Sequence, residues 1–96
     1  MGTPFPRKAL IVLITVYSLP AANCVKCRAV EISMRNRGIE STKVLVNEDP
    51  DALAYIKSLG YSEAPVIVVT AGDEVLDHWS GFSDEKISSL KELVAA

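Results

Sequence analysis

Cysteine is scarce in this 96-residue chain: there are only Cys24 and Cys27. Two cysteines exclude a secreted disulfide scaffold, which needs four or more, and they cannot complete a four-sulfur zinc site. Positive charge is not in excess either, since ten Lys and Arg face twelve Asp and Glu, for a formal net charge of −2. With a pI near 5.3, such a surface gives no general reason to bind DNA, RNA or anionic lipid, so no nucleic-acid partner is expected. No run approaches the ~20 apolar residues that span a bilayer, so no membrane partner is expected. The one histidine, His78, closes a predicted strand and reads as a surface residue. Asp49, Asp51, Asp73, Glu74 and Asp77 lack metal-ligand spacing and read as turns and solvated faces, which leaves no metal site expected. There is no internal repeat and no low-complexity tract.

What is present fits one globular domain. Independent cores usually need on the order of 100 residues each, so two domains do not fit. Hydrophobic residues at 49% and charged residues at 23% lie well away from the composition of disordered chains. Residues 1–8, with two prolines and two basic residues, read as a disordered leader before a single domain over residues 9–96. Arg7 and Lys8 followed by the apolar run from Ala9 to Val16 imitate a signal peptide. That run contains Thr15, is followed by Tyr17 and Pro20, and is better explained as a buried strand. Asn23 also stands where a lipoprotein cleavage site would have a small residue before Cys24.

The element pattern is β-α-β-α-β-β-α. Residues 9–17, ALIVLITVY, are β-branched and apolar almost throughout, as suits a central strand covered on both faces. After a loop from Pro20 to Asn23, the segment Cys24–Arg37 reads as a helix with Cys27, Val30 and Met34 on one face, stopped by Gly38. A short strand follows over Thr42–Val46. Asp49 and Pro50 supply an N-cap and a first-turn proline for a helix that carries Leu53, Ile56 and Leu59 and ends at Gly60. Val66–Val69 and Val75–Trp79 read as strands joined by a tight connection, so that the second returns antiparallel. Ser83, Asp84 and Glu85 open a last helix with Ile87, Leu90 and Val94 on one face. The expected architecture is a four-stranded mixed sheet flanked by three helices.

The chemistry concentrates at Cys24-Val25-Lys26-Cys27, placed between a strand and a helix. The first thiol then sits at a helix N-terminus and the second one turn inside. Unpaired backbone N–H groups and the helix dipole stabilise a thiolate at Cys24 and lower its pKa from ~8.5 toward neutrality. Charge adds to this: residues 1–38 hold six Lys and Arg against Glu31 alone, and Lys26 and Arg28 stand beside the pair as thiolate-stabilising cations. Cys27 is close enough to resolve a mixed disulfide formed at Cys24. Ala64-Pro65, just before an apolar strand, is the second element, because an X-Pro bond held cis presents its flanking backbone groups to an incoming peptide or thiol. Trp79 and Phe82 read either as packing under the last helix or as an apolar docking surface beside the thiols.

Three segments, YSLPAANCVKC (Tyr17 to Cys27), LGYSEAPVIVV (Leu59 to Val69) and HWSGF (His78 to Phe82), resemble the NrdH-redoxins, glutaredoxin-sized members of the thioredoxin fold. The resemblance runs from Leu10 to Leu93. It implies a thioredoxin/glutaredoxin-like fold and a small cytoplasmic, monomeric electron carrier. In this reading Cys24 is the nucleophile and Cys27 the resolving thiol, with no cofactor beyond their redox-active disulfide. Ala64, Pro65, Trp79, Ser80, Gly81 and Phe82 are the implied substrate-binding residues. The implied partners are thioredoxin reductase, fed by NADPH, and the large subunit of class Ib ribonucleotide reductase.

Departures from the family pattern mark where function is open. Leu19 stands where the family usually has a lysine, and the loop before Cys24 is about two residues longer than usual. Ser83-Asp84 replaces the family's Arg/Lys-Pro, and Ser80-Gly81-Phe82-Ser83-Asp84 resembles the Gly-Gly-x-x-Asp glutathione clamp of glutaredoxins with its first glycine lost. A glutathione-dependent glutaredoxin is therefore the alternative, with Asp84 taking the tripeptide's ammonium. A non-catalytic dimer holding an iron–sulfur cluster through Cys24 is a more distant one.

Overall fold

The apolar run that opens the domain forms the strand around which the rest is built. The computed structural model describes residues 12–95, so the expected leader over residues 1–8 and the first residues of the predicted strand lie outside the described residues. In chain order the elements are β1 (Val12–Ser18), α1 (Val25–Asn36), β2 (Thr42–Leu45), α2 (Pro50–Ser58), β3 (Val66–Ala71), β4 (Glu74–Ser80) and α3 (Asp84–Ala95), with a short 3-10 turn at Ala21–Asn23. The strand order is β2-β1-β3-β4. β1 runs parallel to β2 and antiparallel to β3, and β4 returns antiparallel on β3. The mixed four-stranded sheet with three helices is the architecture the sequence pattern implies.

Period-two alternation sorts the strand residues onto two cores. Ile14 and Val16 of β1, Ile67 and Val69 of β3 and Trp79 of β4 pack with Val30 and Met34 of α1 and with Ile87 and Leu90 of α3. Val66 and Val68, on the opposite face, pack with Ala52 and Ile56 of α2. Thus α1 and α3 cover one face, and α2 covers the other. The second cover is incomplete. A nine-residue helix is about 14 Å long, whereas the seven residues of β1 span about 23 Å, and Leu13 is left exposed. The expectation of a strand buried on both faces holds only for its end nearest α2.

Helix boundaries follow their caps. Asp49 caps α2 by accepting a hydrogen bond from Ala52 N at 3.0 Å, and Ser83 Oγ accepts from Lys86 N at 3.3 Å at the start of α3. The C-termini of α1 and α2 close in the same way. Gly38 and Gly60, both at positive φ, donate to Arg35 O and Lys57 O, and the next residues, Ile39 and Tyr61, donate to Met34 O and Ile56 O. This paired bond pattern requires a left-handed residue that glycine supplies without a steric penalty.

The β3–β4 hairpin is longer than the expected Val66–Val69 and Val75–Trp79. Thr70 and Ala71 pair with Val75 and Glu74, leaving two residues, Gly72 and Asp73, in the turn. Pairing of Ala71 with Val12 and of Thr70 with Leu13 carries β3 along β1 from Val12 to Tyr17. The polar composition that reads as a loop is overridden by ladder hydrogen bonds to an adjacent strand.

Tyr17 lies on the α2 face, its ring 5.7 Å from that of Tyr55. Burial pushes its phenol above the usual 10.0, and the neighbouring Tyr55 and Asp49 act in the same direction. Folding therefore favours the protonated phenol. Its contribution is intact below the ordinary tyrosine pKa and is lost as pH rises from there through the folded-state value. Urea midpoints taken through the alkaline range are expected to fall less steeply for Tyr17→Phe than for the wild type, and parallel curves would show that the tyrosine is not responsible.

Candidate active site

The short turn at Ala21–Asn23 delivers the chain into α1, and the longer loop before the cysteines is absorbed there, with Asn23 N bonded to Pro20 O at 2.8 Å. Cys24 is then the N-cap of α1, in extended conformation, and its Sγ accepts from Cys27 N at 3.2 Å. A sulfur occupies the place where Ser or Asp oxygens ordinarily satisfy the first free N–H groups of a helix. Opposite it, the Ala64–Pro65 peptide bond is cis, and the Ala64 carbonyl oxygen lies 4.0 Å from Cys24 Sγ. Cys24 and Cys27 are joined as a disulfide, with their Cα atoms 5.2 Å apart.

The two sulfurs differ in access. Cys24 is half-buried at the helix tip, whereas Cys27 is 0% exposed beneath it. When the disulfide is opened, an incoming reagent meets Cys24 first, and the capping N–H groups and helix dipole favour its thiolate. Lys26 and Arg28 are exposed on the first turns of α1. Among the described residues no hydrogen bond or ion pair ties either side chain to Cys24. Leu19, where a lysine would otherwise stand, packs at the edge of the α2 core.

The segment after β4 is tied to the proline loop. Gly81 N donates to Pro65 O at 2.8 Å, which brings Ser80, Gly81 and Phe82 to the site. Pro65 is fully buried and Ala64 half-buried. Of the two readings for the aromatic residues, packing fits Trp79, which is 7% exposed in the core under α3 with Lys86 Nζ 5.2 Å from its ring centroid. Phe82 stays 45% exposed, and Val25, beside Cys24, is 84% exposed. They are exposed apolar side chains on the segments that carry Cys24 and Gly81.

Of the polar contacts absent from the sequence reading, two join distant segments. Arg37 Nη2 donates to Asp84 Oδ1 at 2.6 Å, linking the end of α1 to the first turn of α3, while Arg37 Nη1 bonds Ser33 Oγ. Tyr61 OH and His78 Nδ1 are 2.7 Å apart. His78 is thus half-buried and bonded, contrary to its reading as a surface residue, because its position on β4 faces the segment leaving α2. Neither contact has a local sequence signal, since the partners are 47 and 17 residues apart.

The difference in sulfur access has a measurable consequence. In the reduced protein, iodoacetamide at limiting concentration is expected to label Cys24 before Cys27 by peptide mass mapping, with a rate midpoint below the ~8.5 of an ordinary thiol. Preferential labelling of Cys27 would reverse the assignment.

Known proteins converge on this geometry. The glutaredoxin family model matches residues 14–75. The glutaredoxin-like protein NrdH of Salmonella typhimurium is 38% identical over 77 residues, covering 80% of this chain and 86% of that one. Its Escherichia coli counterpart is 34% identical with the same coverage. The solved structure of the E. coli NrdH-redoxin, described as having a thioredoxin-like activity profile, superposes with a TM-score of 0.66 at 35% identity over 80% of this chain and 92% of its own. Spinach chloroplast thioredoxin f shares the fold, with a TM-score of 0.68 at 16% identity over 93% of this chain and 81% of its own. With its Cys24–Cys27 pair at the redox position, the chain belongs to the glutaredoxin family, among the NrdH glutaredoxin-like proteins, and is a thiol–disulfide oxidoreductase.

Proposed function

We propose that the chain is a redoxin that carries electrons from NADPH, by way of thioredoxin reductase, to a protein disulfide, that of the large subunit of class Ib ribonucleotide reductase. In the forward half-cycle the Cys24 thiolate attacks one sulfur of the substrate disulfide, and the other sulfur leaves and takes a proton. The resulting mixed disulfide is attacked by Cys27, which releases the reduced substrate and leaves the Cys24–Cys27 disulfide. The reductase then returns two electrons to the pair. The disulfide itself is the redox group, and the scheme calls on no other cofactor. Lys26 and Arg28 favour the attacking thiolate through their field. Ala64 and Pro65 orient the incoming chain, and Val25 and Phe82 receive its apolar side chains. The cytoplasm, where thiols are kept reduced, is the compartment that suits this chemistry.

The observation that carries the choice of electron donor is the Arg37–Asp84 contact. Asp84 is the residue that favours glutathione, because it matches the aspartate of the glutaredoxin clamp, which would take the tripeptide's ammonium. With Arg37 already donating to it, a glutathione ammonium must share or displace a guanidinium. One exposed ion pair is in any case worth only about 0.2–1 kcal/mol. Ser80 adds bulk where the clamp has glycine, so the close backbone approach that glycine allows is lost. The thioredoxin-like activity profile of the E. coli relative points the same way.

A coupled assay separates the readings. With a disulfide substrate, NADPH plus thioredoxin reductase is expected to exceed NADPH plus glutathione and glutathione reductase by roughly tenfold, the ratio that about 1.4 kcal/mol produces. Efficient turnover from glutathione with none from the reductase would make the chain a glutaredoxin in the narrower sense. In the same preparations Cys24→Ser is expected to abolish turnover, and Cys27→Ser to accumulate a substrate mixed disulfide visible on a non-reducing gel.

A further inference from the structure

Ser18 closes β1 on the face that α1 covers. Its predecessors at period two, Ile14 and Val16, share a core with Met34 and Val30 of α1. The helix starts at the end of the sheet where β1 finishes and runs back over it. Counting along the helix face from Met34 through Val30 reaches Cys27, and counting along the strand face from Ile14 through Val16 reaches Ser18. Both residues are 0% exposed. Strand and helix thus bring a hydroxyl and a sulfur to the same end of one buried interface.

The hydroxyl is unused. Ser18 O accepts from Val46 N at 2.9 Å, but Ser18 Oγ has no hydrogen-bond partner among the described residues. An unpartnered buried hydroxyl costs free energy that an alanine of nearly the same size would avoid. In this oxidised form Cys27 Sγ carries no proton to donate, and no hydrogen bond joins it to Ser18 Oγ. Reduction changes the sulfur's character. Once the bond to Cys24 is broken, Cys27 is either a thiol that donates to Ser18 Oγ or a thiolate that accepts from the Ser18 hydroxyl.

We propose that Ser18 is a positioning residue for Cys27, hydrogen-bonded to its sulfur only in the dithiol form, and that it thereby favours reduction of the pair. The couple balances as follows: a donor dithiol gives up two electrons and two protons and becomes a disulfide, while the Cys24–Cys27 bond opens to two thiols. The Cys24 proton is free to leave to solvent, and the Cys27 proton stays in the buried contact. This rests on Cys24 and Cys27 cycling between disulfide and dithiol and not on which reductase supplies the electrons.

The test uses the purified full chain equilibrated with dithiothreitol redox buffers, with the dithiol fraction read by thiol labelling and mass spectrometry. Ser18→Ala is expected to lower the equilibrium constant for reduction about tenfold, which is about 30 mV for a two-electron couple. Val16→Ala, one step back on the same buried face, removes packing but no polar atom and is expected to stay within about threefold of the wild type on that scale. Denaturant midpoints of each form give a second reading, with Ser18→Ala destabilising the reduced protein relative to the oxidised one. A Ser18→Ala change below about threefold, a change toward easier reduction, or an equal change in Val16→Ala would overturn the proposal. Because no reductase enters the measurement, each of those outcomes leaves the choice between thioredoxin reductase and glutathione untouched.

Discussion

The contact between Cys27 N and Cys24 Sγ is the interaction on which the site depends. It makes one sulfur both the cap of α1 and the exposed end of the disulfide. A helix must satisfy its first N–H groups somehow; here the group that does so is also the group that reacts. The remaining architecture holds that helix end still. β1 aims it, the turn at Ala21–Asn23 delivers it, and the cis Ala64–Pro65 bond faces it across the cleft. The alternation of Val66 to Val69 between the two cores holds that loop in turn, since its next four residues are buried on one face or the other.

Much of this is legible from residue order because the relevant forces are local. Asp49 and Ser83 announce helix starts by type, Gly38 and Gly60 announce ends, and the apolar spacing of Cys27, Val30 and Met34 marks the helix that follows Cys24. The run around Val66 can only be a buried strand. The cysteine spacing places the pair at a helix tip before any coordinates are known. What is hidden depends on distance along the chain. Nothing near Arg37 predicts that it reaches Asp84, and nothing near Tyr61 predicts His78. The burial of Trp79 depends on where α3 lies, so its sequence environment supports both readings until that helix is placed.

The same distinction explains the extent of the hairpin. Ala71 and Glu74 are weak strand formers beside a Gly-Asp turn, and a local reading stops short of them. Ala71 becomes strand because Val12 of β1 offers an edge against which it pairs, and Glu74 because it pairs in turn with Ala71. Cross-strand pairing rather than intrinsic preference sets the boundary. The added length extends past the reach of α2, which is why Val75 and Leu76, like Leu13, remain exposed.

Rigidity on both flanks of the proline loop bears on how a partner is met. On one side Gly81 N holds Pro65 O; on the other, Tyr61 is fixed by its backbone bond to Ile56 O and by its hydroxyl to His78. The Ala64 backbone between these anchors is therefore ordered before any partner arrives, and the entropy of arranging it is not charged to binding. Val25 and Phe82 have the opposite character: they are 84% and 45% exposed, and they supply apolar area without dictating one shape. Under the proposed function, a fixed backbone register beside exposed apolar side chains suits an extended disulfide-bearing segment with an apolar flank, because the register is read from the backbone while the edge accepts apolar side chains of different shape.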